Sequence, residues 1–247
     1  MLAIIGGSGL AQLSNLKIAR RQIVQTPYGE PSSPLAFGTL GGSEIVFLAR
    51  HGYGHTIPPH EINYRANIWA LHAQGVKKAL AVASVGGIRA DLGPGVLAVP
   101  DQIIDYTHGR AATFVAGNGD VSHADFTYPY CAQLRAECLA AARRAGEKII
   151  DGGVYGATQG PRLETAAEIN RLERDGVDMV GMTGMPEAVL AREIGLCYAA
   201  LAVVVNHAAG RGDSRTGIAM SDIAAVMEPA MQRVRAILEQ LAQGNGS

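Results

Sequence analysis

Short apolar segments that alternate with longer amphipathic ones constrain the fold of this chain more than any other feature. Runs rich in Val, Ile and Ala, closed by Gly or Pro, predict β-strands near residues 2–5, 45–49, 79–85, 96–104, 153–158, 177–181 and 197–205. Apolar residues at three- and four-residue spacing predict helices near residues 62–74, 129–145, 164–174, 186–194 and 221–242. Strands that are apolar throughout belong to a sheet covered on both faces. We therefore expect an α/β fold with a central mixed β-sheet flanked by helices.

The chain length and composition fit one domain. It has 247 residues, of which 48% are hydrophobic, enough to bury a large core. No linker, repeat or low-complexity segment interrupts the pattern, so we expect a single domain over residues 1–243. The Gly-Asn-Gly-Ser tail at 244–247 is predicted to be disordered.

Charge and cysteine content limit the class of protein. The formal net charge is −1 and the basic residues are scattered, so we expect no nucleic-acid partner. The first residues have no basic segment and no apolar run long enough for a bilayer, which predicts a soluble, cytoplasmic protein without membrane contact. Cys131, Cys138 and Cys197 lack metal-binding spacing and are expected to be reduced, buried residues with no metal site.

Four predicted strands end in residues suited to an anion. The first runs into the glycine-rich turn 6–9, which includes Ser8, and the second delivers Arg50 and His51 into a loop. The third reaches Ser84 before a glycine pair, and the sixth is followed by Thr183. Open α/β sheets bind ligands beyond their strand ends, so together these residues predict a ligand site. The glycine-rich turn lacks the GxGxxG spacing of a dinucleotide site, which argues against a dinucleotide-dependent dehydrogenase.

Several stretches, in register over nearly the whole chain, match a known family. The chain resembles the trimeric purine nucleoside phosphorylases and is most similar to their methylthioadenosine phosphorylase branch. The matching stretches are 4–10, 26–29, 48–52 with 55–57, 63–71, 160–162 and 181–183.

The resemblance implies a reaction and a phosphate site. These enzymes split a purine nucleoside with phosphate as co-substrate, giving the base and a pentose 1-phosphate, and they need no metal or organic cofactor. The positions that match the family's phosphate site are Ser8, Arg50, His51, Ser84 and Thr183. The methylthioadenosine branch usually has a threonine where this chain has Ala83, so one hydrogen bond to phosphate is expected to be missing or replaced by water.

The resemblance also implies how the base is read. In the adenine-reading branch the position of Asn206 is an aspartate, whereas an asparagine can donate to O6 and accept from N7–H of a 6-oxopurine. Glu164 can accept from the N1–H that adenine lacks. With His51, these two residues are the expected catalytic residues. Leu163, Gly181 and Met182 match positions around the base and ribose.

The resemblance also implies which residues surround the 5′ end of the sugar and which oligomer the chain forms. Ile218 and Met220 stand where other family members place a polar contact to a 5′-hydroxyl, so an apolar slot for a methylthio group is expected. The irregular segment 107–127 is long enough to be a functional loop. On it, His123 matches a family histidine that reaches the neighbouring subunit's site, which implies a homotrimer.

A 6-oxopurine reader combined with an apolar 5′ slot predicts 5′-methylthioinosine as the substrate. The alternatives are a methylthioadenosine phosphorylase that tolerates Asn206 and a general phosphorylase of inosine and guanosine. A different class is a non-catalytic nucleoside- or phosphate-binding module, which would bind the same ligands without consuming phosphate.

Overall fold

Eleven β-strands and five α-helices make up residues 1–115 and 123–244, the part of the chain that the computed structural model describes. The strands are β1 (Leu2–Gly6), β2 (Lys17–Gln22), β3 (Leu35–Leu40), β4 (Ser43–Ala49), β5 (Lys78–Gly87), β6 (Leu97–Val99), β7 (Gln102–Asp105), β8 (Ile150–Asp151), β9 (Val154–Ala157), β10 (Met179–Gly181) and β11 (Cys197–His207). The helices are α1 (Tyr64–Ala73), α2 (Ala132–Arg144), α3 (Ala166–Arg174), α4 (Gly184–Glu193) and α5 (Met220–Gly244).

The strands form one mixed sheet that is organised around β5. Strands β4, β1, β5 and β11 are mutually parallel neighbours, in the order β4-β1-β5-β11. Near its end β5 also pairs with β10, which runs antiparallel to it and leads to β9 and β7. Because the carboxyl ends of parallel strands meet at one edge, residues that follow β1, β4, β5 and β11 are brought together there.

Helices cover both faces of this sheet, as the apolar strands require. In β1, Ala3 and Ile5 belong to one buried cluster with residues of α1 and α4. Leu2 and Ile4 point to the opposite face and pack in a second cluster with residues of α2 and α5. Successive side chains of a strand alternate between faces, so this burial on both sides explains the unbroken apolar runs in the sequence. The predicted single α/β domain with a mixed sheet is confirmed.

The predicted strands are present, with one division and three omissions. The segment 96–104 forms two strands because Pro100, which has no N–H to donate, separates β6 from β7. The two pair with different partners, β6 with β11 and β7 with β9. Strands β2, β3 and the two-residue β8 were not predicted. In β2, five of the six residues are exposed and charged or polar residues predominate, which is typical of an edge strand.

Three helices begin later than the pattern predicts. Helix α1 starts at residue 64 rather than 62. Helix α2 starts at residue 132 rather than 129. Helix α3 starts at Ala166, and Thr165 is its N-cap in a capping box with Glu168. Glu164 therefore precedes the helix and is not an acid of its first turn.

The tail and the cysteines require corrections. Gly244 is the last residue of α5, so the tail predicted from 244 does not begin there, and residues 245–247 lie outside the described part of the chain.

Cys131 and Cys197 form a disulfide, with a Cα–Cα distance of 5.2 Å, so the prediction that all cysteines are reduced is wrong. The fold brings together residues 66 positions apart, which their spacing in the sequence cannot show. Cys138 is free and buried. Within the described ranges, no helix is long and apolar enough to cross a membrane.

Candidate active site

A cavity of about 680 Å³ opens at the edge of the sheet where the parallel strands end. Twelve of the thirteen predicted site residues line it, and His123 does not. The twelve are Ser8, Arg50, His51, Ser84, Leu163, Glu164, Gly181, Met182, Thr183, Asn206, Ile218 and Met220. Residues from seven separate segments of the chain thus share one site, as expected for a ligand site at strand ends.

Hydrogen-bond donors converge at one end of the cavity. Ser8 follows β1, Arg50 follows β4, and Ser84 lies in β5. The pairing of Val180 with Gly86 brings the segment that follows β10, including Thr183, back alongside Ser84. Thr183 is the N-cap of α4, its hydroxyl makes no cap hydrogen bond, and the residue lines the cavity. Hydroxyls and a guanidinium in this arrangement suit a phosphate ion.

Arg50 is buried and firmly held. Its Nε and Nη2 donate to the two carboxylate oxygens of Glu187 at 2.7 and 2.9 Å, and Nη1 donates to the Val82 carbonyl at 2.9 Å. Burial alone would lower the pKa of Arg50, but the Glu187 carboxylate raises it above the ordinary value. A Cβ added at Gly7 would lie 2.8 Å from Arg50 Nη1. The glycine-rich turn is therefore needed to make room for this arginine.

His51 is a neutral side chain with a fixed tautomer. Its Nδ1 lies 2.8 Å from the Ile57 carbonyl, which can only accept, so Nδ1 carries the proton. Burial, followed by the neighbouring charge of Arg50, lowers the pKa of His51 to about 4. The remaining ring nitrogen, Nε2, is then a hydrogen-bond acceptor on a side chain that lines the cavity.

A second histidine lies beside the first. The rings of His51 and His55 are 4.3 Å apart, and His55 Nε2 lies 3.5 Å from the Ser8 hydroxyl. His55 has a φ of 58°, a left-handed conformation that is uncommon for residues other than glycine. Burial lowers the pKa of His55. This residue also lines the cavity, although it was not among the predicted site residues.

Glu164 is oriented by a threonine. Thr158 donates from Oγ1 to Glu164 Oε1 at 2.6 Å, and its backbone N–H donates to the Gly181 carbonyl at 2.8 Å. The carboxylate is thus linked through Thr158 to the end of β10. Its second oxygen can accept from a ligand.

Asn206 reaches the cavity through an irregularity in β11. The register against β5 shifts between Val204 and Asn206, so Val205 has no partner in β5. Such a bulge changes the direction of the side chains that follow it, and both Val205 and Asn206 line the cavity. Asn206 donates one amide hydrogen to the His207 carbonyl at 2.6 Å. Its other amide hydrogen and its carbonyl oxygen are left for a ligand.

Apolar side chains line the remaining wall. Ile218 and Met220 precede or begin α5, and Ile223 and Met227 of that helix lie on the same wall. Met220 is 69% exposed, so it lies at the cavity mouth. The wall is suited to an apolar group rather than a hydroxyl.

Arg110, on the predicted functional loop, fastens the segments that follow β9 and β10. Its guanidinium donates to the carbonyls of Gln159, Met182 and Met185 at 2.6–2.8 Å. It thereby holds the backbone at Met182, which lines the cavity.

His123 lies on the same loop and is exposed. Part of that loop, residues 116–122, lies outside the described ranges. Among the residues that the structure describes, no group of three or more His, Cys, Asp or Glu side chains is placed to hold a metal ion.

A family model covers almost the whole chain. The model described as the phosphorylase superfamily matches residues 1–243. The chain belongs to this superfamily.

The proteins similar to this phosphorylase are named as phosphorylases of purine nucleosides. It is 52% identical over 244 residues to a probable S-methyl-5′-thioinosine phosphorylase of Xanthomonas campestris, covering 98% of this chain and 97% of the relative. It is 47% identical over 215 residues to the 6-oxopurine nucleoside phosphorylase of Pyrococcus furiosus, covering 85% and 80% of the two chains. The methylthioadenosine phosphorylase of Schistosoma mansoni, solved with adenine, superposes with a TM-score of 0.94 at 33% identity, over 99% of this chain and 91% of that one.

Sequence reasoning missed the residues of this phosphorylase that hold the cavity side chains in place. Glu187 pairs with Arg50, Thr158 orients Glu164, and Arg110 fastens the Met182 backbone. The one available signal was Glu187, an acid within the apolar run that follows Pro186, since a charged residue at such a position needs a buried partner.

Proposed function

We propose that this nucleoside phosphorylase, a pentosyltransferase, cleaves 5′-methylthioinosine with phosphate to give hypoxanthine and 5-methylthioribose 1-phosphate. The observation that carries the proposal is that Asn206 and Glu164 line the same cavity as the phosphate donors. The name of the Xanthomonas campestris relative, at 52% identity over nearly the full length of both chains, supports it.

Asn206 and Glu164 read the base in complementary ways. The free amide hydrogen of Asn206 donates to O6, and its carbonyl oxygen accepts from N7–H of the departing purine. The Glu164 carboxylate accepts from N1–H. Adenine carries a lone pair at N1 and an amine at position 6, so it would leave both the carboxylate and the amide hydrogen without a partner. Buried polar groups left unpaired discriminate by roughly 10⁴-fold.

The donor end of the cavity binds phosphate and activates the sugar. A phosphate oxygen attacks C1′ while the C1′–N9 bond breaks, and the bonding electrons pass to the purine. The purine takes up a proton at N7 from water, and the new phosphate ester releases its proton to water. Arg50, Ser8, Ser84 and Thr183 donate to the phosphate, and neutral His51 accepts from its P–OH. The bound anion then stabilises the positive charge that develops on the sugar. Ala83 lines this end, where a threonine would add one more donor.

The apolar wall receives the 5′-methylthio group. Ile218 and Met220, with Ile223 and Met227 behind them, contribute this wall. Leu163, Gly181 and Met182 complete the surroundings of the base and ribose. A 5′-hydroxyl would lose its hydrogen bonds to water there, which favours the methylthio substrate over inosine.

We further propose that the enzyme is a homotrimer and that His123 acts at the neighbouring subunit's site. His123 is exposed and lies away from the cavity of its own chain, which is compatible with such a role. Analytical ultracentrifugation tests the trimer, and a sedimentation coefficient of a monomer would refute it.

The proposed reaction is tested by identifying the products. With phosphate and methylthioinosine we expect hypoxanthine and a sugar phosphate in equal amounts. When both phosphate and arsenate are omitted, the yield of hypoxanthine should be much lower. Tight binding of the nucleoside without release of base would instead indicate a binding module.

A second function is favoured by one observation. The Pyrococcus furiosus relative is named a 6-oxopurine nucleoside phosphorylase, so a general activity on inosine and guanosine is the main alternative. In this chain, such an activity would use the same base contacts through Asn206 and Glu164 and would require the 5′ wall to accept a hydroxyl. Inosine cleaved as well as methylthioinosine would favour it.

A further inference from the structure

Three buried side chains form a linear network beneath the phosphate end of the cavity. The Tyr198 hydroxyl donates to Glu187 Oε1 at 2.7 Å, and both Glu187 oxygens accept from Arg50. Glu187 is completely buried and Arg50 is 1% exposed. The three residues come from β11, from α4 and from the turn after β4, so the network joins three elements at the cavity floor.

The network leaves Arg50 a defined binding edge. Of its five N–H groups, two donate to Glu187 and one to the Val82 carbonyl. One N–H on each terminal nitrogen remains for a ligand. A planar guanidinium fixed by a bidentate carboxylate cannot rotate, so the direction of those two remaining N–H groups is set before phosphate arrives.

We propose that Glu187, itself held by Tyr198, is a positioning residue that aligns Arg50 and thereby sets the affinity of this phosphorylase for phosphate. The proposal rests on the proposed function, in which Arg50 binds phosphate. Neither Glu187 nor Tyr198 touches the cavity, so they act only through Arg50. Burial, followed by the charge of Glu187, raises the pKa of Tyr198, which keeps its hydroxyl protonated as a donor.

The chain supplies a matched control for Tyr198. Tyr130 stacks on it with ring centroids 6.1 Å apart, and both rings are buried. The Tyr130 hydroxyl has no hydrogen-bond partner among the described residues. Tyr198→Phe and Tyr130→Phe therefore remove the same atom from adjacent sites, and only Tyr198→Phe breaks the network.

The test separates the KM for phosphate from the KM for nucleoside. For Tyr198→Phe we expect the KM for phosphate to rise about fivefold, the scale of one ordinary hydrogen bond, with the nucleoside KM unchanged. Glu187→Gln should raise the KM for phosphate further, because its amide group places a hydrogen-bond donor against Arg50. The KM for phosphate of Glu187→Asp should lie between those of Tyr198→Phe and Glu187→Gln. Tyr130→Phe should match the wild type. The same order is expected for phosphate affinity measured without nucleoside, from the rise in Tm on titration with inorganic phosphate.

Two results would overturn the proposal. One is a phosphate affinity of Tyr198→Phe equal to that of Tyr130→Phe, and the other is a parallel rise of both KM values, which would mean a general structural role. Tyr198→Phe retains both charges, so it remains informative if Glu187→Gln fails to fold. The nucleoside preference of the wild type tests the proposed substrate separately from the positioning role of Glu187. If the wild type prefers another nucleoside, the proposed substrate is wrong, and the phosphate titration still tests the positioning role.

Discussion

The Thr158 hydroxyl donates to the Glu164 carboxylate at 2.6 Å, and this contact orients one of the two residues proposed to read the base. Glu164 precedes α3, so no helical turn fixes its backbone. Thr158 is itself tied to the Gly181 carbonyl, which lies in the strand that borders the cavity. The position of the carboxylate therefore depends on a residue that is not on the cavity wall.

Replacing Thr158 by valine should weaken base recognition. The variant keeps the side-chain shape and loses the hydroxyl, so kcat/KM for a 6-oxopurine nucleoside should fall about five- to tenfold. Thr158→Ser, which retains the hydroxyl, is the control and should keep most of the activity. Equal activity of the valine and serine variants would show that this hydrogen bond does not position Glu164.

Replacing Asn206 by aspartate should change the preferred base. A protonated aspartate can donate to N7 and accept from the 6-amine, whereas it has no donor left for O6. We expect the ratio of kcat/KM for methylthioadenosine over methylthioinosine to rise by at least about tenfold. An unchanged ratio would mean that the base is read by other residues.

His51 should make the protein less stable in mild acid. Its pKa is lowered to about 4 in the folded protein by burial and by Arg50, while in the unfolded chain it is near 6.5. Between these values the unfolded chain binds a proton that the folded protein does not, so stability falls as the pH decreases from about 6.5 to about 4. The loss is on the order of 3 kcal/mol.

The variant His51→Asn isolates this contribution. Asparagine retains a donor for the Ile57 carbonyl and does not titrate. Calorimetry in phosphate-free buffer should show a smaller decrease in Tm between pH 6.5 and 4 than in the wild type. Parallel pH profiles for the two proteins would contradict the lowered pKa.

The disulfide predicts a single titratable thiol. In denaturant without reductant, only Cys138 should react with a thiol reagent, because Cys131 and Cys197 are joined. Cys131→Ser should lower the free energy of unfolding by about 2–4 kcal/mol, and reductant should have no further effect on that variant. Three reactive thiols in the wild type would show that the bond does not form.

Several cavity residues could be predicted because they stand at strand ends that the local sequence pattern marks. Apolar runs closed by glycine mark the ends of β1 and β5, and parallel strands bring their ends to one edge. Ser8, Arg50 and Ser84 each follow or end an apolar run, so the local sequence was enough to predict them, whereas Asn206 was predicted from the family resemblance.

The supporting contacts could not be predicted because they join distant parts of the chain. Glu187 lies 137 positions from Arg50, and Arg110 donates to carbonyls 49 to 75 positions away. Nothing in the local pattern specifies such pairs. The edge strand β2 was missed for a different reason, since its charged, exposed residues lack the apolar signal of the central strands.

The most direct test of the proposed substrate is the kcat/KM of the wild-type enzyme for methylthioinosine, methylthioadenosine and inosine, each at saturating phosphate. Methylthioinosine should exceed methylthioadenosine by at least about 100-fold, because adenine leaves Glu164 and Asn206 unpaired. It should exceed inosine by about tenfold, the scale expected for an apolar slot. A preference for methylthioadenosine would contradict the assignment of Asn206 and Glu164 as the residues that select the base.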